Sequence, residues 1–113
     1  MIIYLDSCVY NRPFDDQQQP RINLETQALL LILHMAEKKG VILISSFALK
    51  KENNNNPYMD RREMIADILL TAPECIEYDK HIGNRAKELE KLGIMGMDAL
   101  HIACAEKANA DFT

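Results

Sequence analysis

The sequence predicts an α/β domain built on a parallel sheet. Two short segments, residues 2–5 and 41–45, are apolar except for Ser45 at the end of the second, which is typical of strands buried on both faces of such a sheet. Each is followed by a stretch with the spacing or the end signals of a helix, and strands that alternate with helices are characteristic of α/β domains. A chain of 113 residues is long enough for one hydrophobic core, so we expect a single domain over residues 1–113.

The remaining elements follow from apolar spacing and from end signals such as Gly and Pro. Helices are predicted over residues 21–39, 47–52, 60–71, 82–92 and 97–108. Further strands are predicted over residues 74–79 and 110–113. Polar loops are predicted over residues 11–20 and at the four consecutive asparagines, residues 53–56.

The charge balance limits how the protein can hold a nucleic acid. With 13 basic and 17 acidic residues the formal net charge is -4, which argues against binding by a bulk positive field; if the substrate is a nucleic acid, metal ions or local basic patches must offset that charge. The three cysteines are odd in number and lack a CxxC spacing, which favours reduced thiols. No run approaches the length of a membrane span and no signal-type segment opens the chain, so we expect a cytoplasmic protein without a membrane partner.

Three carboxylates occupy positions where parallel-sheet proteins gather their ligands. Asp6 directly follows the first predicted strand, Glu52 ends the short helix after the second strand, and Asp98 opens the last helix. Because ligands collect at the carboxyl ends of parallel strands, we expect the three side chains to meet there. The sequence also leaves a structural alternative open for each: Asp6 as the cap of a turn, Glu52 as a solvated charge and Asp98 as a helix cap.

Asp98 is the most unusual of the three acids, because it lies within the apolar stretch "IMGMDALHIACA". We expect it to be buried, which is unfavourable for a carboxylate unless the charge is paired or binds a cation. Clustered carboxylates also repel one another, and a divalent cation would relieve that repulsion. Mg²⁺ and Mn²⁺ prefer oxygen ligands, so either ion is the expected cofactor, with Asp6, Asp98 and Glu52 as its ligands.

Three segments together resemble a known family. They are "IIYLDSCVYNRPF", "ISS" followed by Glu52 and "NNP", and "LGIMGMDALHIACAEKANAD". In order and position they are similar to a PIN domain of the kind found in VapC-type toxin ribonucleases, over essentially the whole chain. The resemblance implies a three-layer α/β/α fold with a central parallel sheet, and a metal-dependent endoribonuclease that hydrolyses RNA to leave a 5′-phosphate. It also implies the toxin component of a toxin–antitoxin pair, with an antitoxin protein as partner.

The resemblance assigns the three acids to catalysis, since Asp6, Glu52 and Asp98 correspond to the first, second and third acid of the family. It also implies a threonine-rich turn, a fourth acid and a final helix after the segment "ADFT", so we expect the C-terminal part of the domain to be truncated at Thr113. A second interpretation follows, in which the chain is a non-catalytic PIN-fold module that acts in protein association.

Several polar residues are expected around the acids. Ser7 takes the place of the family's hydroxyl residue after the first acid, and Asn11 fits a polar position near the pocket. His101 is expected to pack beside the pocket as a supporting hydrogen-bond donor. Basic residues that could meet RNA phosphates are weaker candidates, because charged pairs usually form a solvated surface. They are Arg12, Lys50, Lys51, Arg61 and Arg62.

Other chemistries have less support. His101 and Cys104 share a helix face, but two ligands are too few for a transition-metal site. Cys8 has no neighbouring histidine that would make it a nucleophile. The helix containing "ALLLILHMA", residues 28–36, has apolar side chains beyond the stripe needed to pack on a sheet, which favours a homodimer or another stable partner.

Overall fold

The computed structural model describes residues 1–111 as a parallel sheet flanked by helices. Its three strands are β1 (Ile2–Tyr4), β2 (Ile42–Ser46) and β3 (Glu74–Ile76), with β2 in the centre. Both pairings, β1 with β2 and β2 with β3, are parallel. The carboxyl ends of the strands therefore meet at one edge of the sheet.

Six α-helices lie in this part of the chain: two between β1 and β2, two between β2 and β3, and two after β3. They are α1 (Ser7–Asn11), α2 (Pro20–Glu37), α3 (Phe47–Asn54), α4 (Met59–Leu70), α5 (Lys80–Lys91) and α6 (Gly96–Lys107). Within residues 1–111 none of them is long and apolar enough to cross a membrane. The order of elements confirms the α/β class with a central parallel sheet that the sequence predicts, and it is consistent with a PIN-like fold.

The core forms where the apolar strands meet the helices. Ile3 of β1 is paired with Leu43 of β2, and both side chains are buried. Large side chains that are almost completely buried come from the sheet and from most of the helices: Tyr4, Tyr10, Leu29, Ile44, Leu49, Ile65 and Ile82. Removal of this apolar surface from water is the main force that holds the sheet and helices together.

The first connection is more ordered than the polar loop predicted over residues 11–20. Helix α1 begins at Ser7, and the Asp6 carboxylate caps it by accepting a hydrogen bond of 3.3 Å from the backbone N–H of Val9. A short 3₁₀ turn, Arg12–Phe14, follows α1 directly. A helix of five residues is too short to show a helical period in the sequence, which is why the pattern did not predict it.

Strand β3 is shorter than the strand predicted over residues 74–79, because it ends at Ile76. The Asp79 carboxylate instead caps α5 by accepting a hydrogen bond of 2.9 Å from the backbone N–H of Ile82. That hydrogen bond is the largest cause that holds the pKa of Asp79 below its usual range. The alternating polar residues after Ile76 therefore belong to a loop and a helix cap.

Helix α6 leads back to the start of β1. The backbone N–H of Asp111 donates to the carbonyl of Ile2 at 2.7 Å, and the Asp111 carboxylate accepts from the N–H of Ile2 at 2.8 Å. The segment predicted as a fourth strand, residues 110–113, thus begins beside β1, and residues 112–113 lie outside the described part of the chain. Because the end of α6 meets the beginning of β1, the first turn of α6 lies towards the carboxyl edge of the sheet.

Helix α2 is apolar on more than the face that meets the core. Leu29 is 1% exposed, whereas Leu24, Leu30 and Leu31 are 66%, 56% and 59% exposed. Met35, one turn after Leu31, is also exposed. The rest of the described chain does not cover this surface, in agreement with the excess of apolar residues that the sequence shows in this helix.

Leu29 and Leu31 provide a matched pair for testing the orientation of α2. We expect Leu29→Ala to lower the free energy of unfolding by about 2–5 kcal/mol, because it opens a cavity in the core. At protein concentrations too low for self-association, Leu31→Ala should change it by less than about 0.5 kcal/mol, because its side chain is 59% exposed. Urea denaturation of both variants measures the difference, and equal losses would show that α2 is rotated from the orientation described.

Candidate active site

The fold brings the three predicted acids to one end of the sheet. Asp6 lies two residues after the end of β1, Glu52 lies on α3, which begins directly after β2, and Asp98 lies in the first turn of α6. The Cys8 thiol lies within reach of all three charges. Its partial burial, and then the negative charges of Asp6, Glu52 and Asp98, raise the pKa of Cys8.

The expectation that Asp98 is buried is wrong, because its side chain is exposed. Helix α6 turns Ala99 and Ala103 into the core, where they are 0% and 3% exposed, while Met95 beside its first turn is 66% exposed. The apolar residues around Asp98 thus do not form one buried face. Some lie on the core side of α6 and others lie in the exposed segment before it. Asp98 needs no partner to compensate for burial, is favoured near the helix N-terminus, and is accessible to a ligand from solvent.

Glu52 is held through both of its carboxylate oxygens. The Ser7 hydroxyl donates to Oε2 at 2.9 Å, and Nε2 of His101 is hydrogen-bonded to Oε1. His101 is 6% exposed, so this contact comes from the core side, whereas Ser7 approaches from the beginning of α1. The two contacts fix the carboxylate from different elements. They also place the predicted supporting residues Ser7 and His101 beside Glu52.

Behind His101 the hydrogen bonds continue into the core. The Tyr4 hydroxyl lies 2.6 Å from Nδ1 of His101 and 2.7 Å from the Ser46 hydroxyl, which accepts a hydrogen bond from the backbone N–H of Leu49 at 3.1 Å. Because a carboxylate only accepts, a neutral His101 donates from Nε2 to Glu52 and accepts from Tyr4 at Nδ1. Ser46 then donates to Tyr4. Burial raises the pKa of Tyr4 far above its usual range, so its hydroxyl keeps the proton that this order requires.

We call the five residues Ser46, Tyr4, His101, Glu52 and Ser7 the Glu52 network. It joins strands β1 and β2 to helices α1, α3 and α6. Ser46 and Tyr4 are 0% exposed, so their hydroxyl groups depend on one another and on His101 for hydrogen bonds. Buried polar groups that satisfy one another in this way stabilise a single arrangement of side chains.

The asparagines after Glu52 form a structured frame, although the sequence suggests a plain loop. Asn53 ends the second turn of α3 and donates through Nδ2 to the carbonyl of Arg62 at 2.8 Å. Asn56 donates through Nδ2 to Oδ1 of Asn11 at 3.1 Å, and Asn11 donates in turn to the carbonyl of Ser7 at 2.8 Å. The predicted residue Asn11 therefore connects the start of α1 to the segment that follows Glu52.

This frame encloses one side of a solvent-open cavity of about 240 Å³ next to Glu52. Its lining includes Ser7, Asn11, Glu52, Asn56, Tyr58 and Arg61. The sequence analysis did not select Asn56 or Tyr58. Their position just after the end of α3, the helix that carries Glu52, is the signal that could have identified them, because the residues that follow a helix end lie close to its last turn.

Two of the predicted RNA-contacting residues are engaged in ion pairs. Arg12 pairs with Glu25 at 2.5 Å and with Asp15 at 3.3 Å, and the hydrogen bond to Glu25 raises the pKa of Arg12. Arg61 pairs with Asp15 at 3.0 Å and donates to the carbonyl of Phe14 at 2.8 Å. These contacts order the segment between α1 and α2.

Of the other three basic candidates, one makes a structural hydrogen bond and two are exposed. Arg62 donates to the carbonyl of Asn56 at 3.0 Å, so it supports the asparagine segment. Lys50 and Lys51 are exposed on α3, directly before Glu52. Exposed positive charge therefore remains on α3, the helix that carries Glu52.

The donor atoms at this edge fit a hard, oxygen-binding cation such as Mg²⁺ or Mn²⁺ better than a softer ion such as Zn²⁺. Within residues 1–111 no group of three or more His, Cys, Asp and Glu side chains is arranged to hold a metal ion, so the three predicted ligands Asp6, Glu52 and Asp98 do not form such a group in this structure. Asp6 and Asp98 are exposed carboxylates, which suit Mg²⁺ or Mn²⁺. Both ring nitrogens of His101 are already hydrogen-bonded and Cys104 is 0% exposed, so neither side chain is available to a softer metal ion.

Among comparisons with known proteins, only the one with solved structures finds a match, and it concerns the fold. No protein-family model matches the sequence, and no curated protein matches it. Among solved structures, the chain is similar to a chain in the crystal structure of VapBC2 from Rickettsia felis bound to a DNA fragment from its promoter. The likeness has a TM-score of 0.56 at 22% sequence identity, and it covers 99% of this chain and 85% of that chain. The fold is therefore like that of a VapBC protein.

Tyr4 and Tyr10 provide a matched test of the Glu52 network. Tyr4→Phe removes the hydroxyl that joins Ser46 to His101, so we expect the free energy of unfolding to fall by about 1–3 kcal/mol, the cost of unpaired buried polar groups. Tyr10 is equally buried at 1% exposure, but its hydroxyl makes no side-chain hydrogen bond in the described chain, so Tyr10→Phe should be nearly neutral. Urea denaturation measures both, and a neutral Tyr4→Phe would contradict the network.

Proposed function

We propose that the protein is a metal-dependent endoribonuclease of the PIN type and the cytoplasmic toxin of a toxin–antitoxin pair. The observation that carries this proposal is the placement of Asp6, Glu52 and Asp98 at one edge of the sheet, with Glu52 held through both oxygens. The fold likeness to a chain of the VapBC2 complex supports it, and so do the sequence segments that resemble PIN domains.

Asp6 and Asp98 are the residues that would hold Mg²⁺ or Mn²⁺. Both are exposed, and neither is committed to an ion pair within the described chain. The Asp6 carboxylate caps α1 through the N–H of Val9, so the fold positions it before any ligand binds. When bound, such an ion lowers the pKa of a water molecule and neutralises negative charge on the leaving oxygen.

Glu52 has a different task from the other two acids. A carboxylate has about four lone-pair positions, and Ser7 and His101 use one on each oxygen. The remaining positions can accept a hydrogen bond from the attacking water and orient it towards the phosphorus. Because Ser7 and His101 prevent rotation of the side chain, this orientation does not have to be established anew during the reaction.

The negative charge of the protein requires local compensation where RNA binds. Lys50 and Lys51 remain the basic candidates for this, because they are exposed on the helix that carries Glu52 and make no ion pair within the described chain. Arg12 and Arg61 are neutralised by acidic partners, so they contribute less to phosphate binding. The substrate in this proposal is RNA, bound through phosphate contacts near the three acids.

Replacement of the two exposed acids tests the activity. We expect Asp6→Asn and Asp98→Asn each to lower metal-dependent RNA cleavage by about 100-fold or more, because each removes a charge that holds the ion. Asn caps helices as well as Asp does, so the melting temperature of Asp6→Asn should change little.

The measurement is cleavage of a labelled RNA with Mn²⁺ or Mg²⁺ and with a chelator. Asp67→Asn, which changes an exposed acid on α4, is the control with equal loss of charge. Cleavage that continues in chelator, or that survives both substitutions, would refute the proposal.

The proposal includes a protein partner on helix α2. Leu24, Ala28, Leu31 and Met35 follow one another at helical spacing, and all four are exposed. Such a stripe is typical of a helix that packs against another protein surface. It supports a homodimer through α2, while the toxin assignment implies an antitoxin as a second partner. The same surface favours the alternative function, a non-catalytic module for protein association.

A charge placed on this stripe should prevent self-association. We expect Leu31→Lys to shift the protein towards the monomer, because a lysine in an apolar contact loses its hydration. Leu92→Lys, at a position that is 75% exposed beyond the end of α5, should leave the association unchanged. Sedimentation equilibrium over a range of concentrations measures both. A wild-type chain that stays monomeric at the highest concentration would rule out the homodimer.

A further inference from the structure

We propose that the cavity beside Glu52 is a subsite for one unstacked base of the RNA strand, with Tyr58 as the stacking surface and asparagine side chains as readers of the base edge. The inference rests on the proposed ribonuclease function, and it adds a binding site that determines which nucleotide lies next to the acids. Three observations carry it: the position of the cavity, the support of Tyr58 and the unused hydrogen-bonding capacity of the asparagines.

The cavity is continuous with the candidate active site. Ser7 and Glu52 line one side of it, and Asn56 and Tyr58 line another. Its volume of about 240 Å³ is below that of a typical pocket for a drug-sized ligand. It leaves room for a single planar ring system, and the cavity is open to solvent. A base held there belongs to a nucleotide whose phosphate lies close to the acids.

Tyr58 is an exposed aromatic residue that the fold holds in place. Its side chain is 60% exposed, and the guanidinium of Arg61 lies 4.6 Å from the centre of its ring. Arg61 is itself fixed by Asp15 and by the carbonyl of Phe14. A tyrosine supported by a fixed cation, with most of its surface in water, has the form of a stacking platform for nucleic-acid bases.

The asparagine side chains retain donors and acceptors for a base edge. Nδ2 of Asn56 donates to Asn11, and Oδ1 of Asn56 accepts from the backbone N–H of Tyr58 at 3.1 Å. A carboxamide has two N–H groups and two oxygen lone pairs, so Asn56 keeps one of each. The contacts that Asn56 already makes hold it in place, and the remaining pair can bind a base that presents a donor beside an acceptor.

The geometry therefore favours single-stranded RNA. A base inside a duplex is stacked on both faces and paired along its edge, so it cannot reach Tyr58 and Asn56 together. Arg61, the cation that lines the cavity, is already paired with Asp15, and Tyr58 and Asn56 are uncharged, so the subsite distinguishes nucleotides by their base. Loss of the platform should weaken binding of the base and leave the chemical step at the acids intact.

The experiment titrates the four nucleoside 5′-monophosphates, and ribose 5-phosphate as the probe that lacks a base, into the whole chain without metal. Two-dimensional NMR of the backbone amides follows binding. We expect at least one nucleotide to shift the signals of residues 52–61, and ribose 5-phosphate to leave them unchanged. Tyr58→Ala should weaken that binding about tenfold and Tyr58→Phe should preserve it, because stacking needs the ring and not the hydroxyl.

Tyr78→Ala is the matched control, because Tyr78 is 61% exposed and does not line the cavity. Thermal melting of every variant checks that the fold is retained. With RNA and metal, Tyr58→Ala should raise KM about tenfold and leave kcat within about twofold, the pattern of lost binding rather than lost chemistry.

Equal binding of nucleotides by the wild type and Tyr58→Ala, or equal shifts with ribose 5-phosphate, would overturn the subsite. So would an unchanged KM for Tyr58→Ala in a chain that cleaves RNA. If the nucleotides bind through Tyr58 but RNA is not cleaved with either metal, the subsite stands and the ribonuclease proposal fails. The two ideas are therefore tested separately.

Discussion

The contact of His101 with Glu52 is the interaction on which the candidate site depends, because it connects a partly exposed acid to the buried core. Tyr4 holds the far side of the imidazole at 2.6 Å, and Ser46 holds Tyr4 at 2.7 Å. These residues come from two strands and two helices, so Glu52 has a defined position only when the whole sheet and its helices are assembled. Stability and site geometry are therefore coupled: a change that loosens the core at Tyr4 also frees the carboxylate.

The three acids reach the same edge by different routes, and this explains their different environments. Asp6 lies at the end of a strand and caps the helix that follows, so its place is set by the local backbone. Asp98 depends on the direction of α6, which returns to the start of β1 and leaves its first turn at the opposite end of the sheet. Glu52 depends on side-chain contacts. Two exposed carboxylates beside one that is held rigidly suit a division between binding a cation and orienting a water molecule.

The polar segment after Glu52 and the apolar surface of α2 differ in what they contact within the domain. The asparagine frame is tied to α1 through Asn11 and to α4 through Arg62, so it forms part of the folded domain. The exposed leucines of α2 have no such connection within residues 1–111, and burial of a stripe of this kind requires a second molecule. The residues that line the cavity and the exposed stripe of α2 are different sets with no member in common.

The sequence by itself determined the α/β class, the order of strands and helices and the position of Asp6, because buried parallel strands are continuously apolar and helices repeat every 3.6 residues. It also placed Glu52 on the short helix that follows β2 and Asp98 at the beginning of α6. It did not reveal the short helix α1, the early end of β3 or the exposure of Asp98, since each depends on a cap or on which face a helix turns to the core. Only the tertiary structure decided the partners of Glu52: Ser7 and His101 are 45 and 49 residues away from it in the chain, and contacts at such separations leave no local pattern because they form only when the helices pack on the sheet.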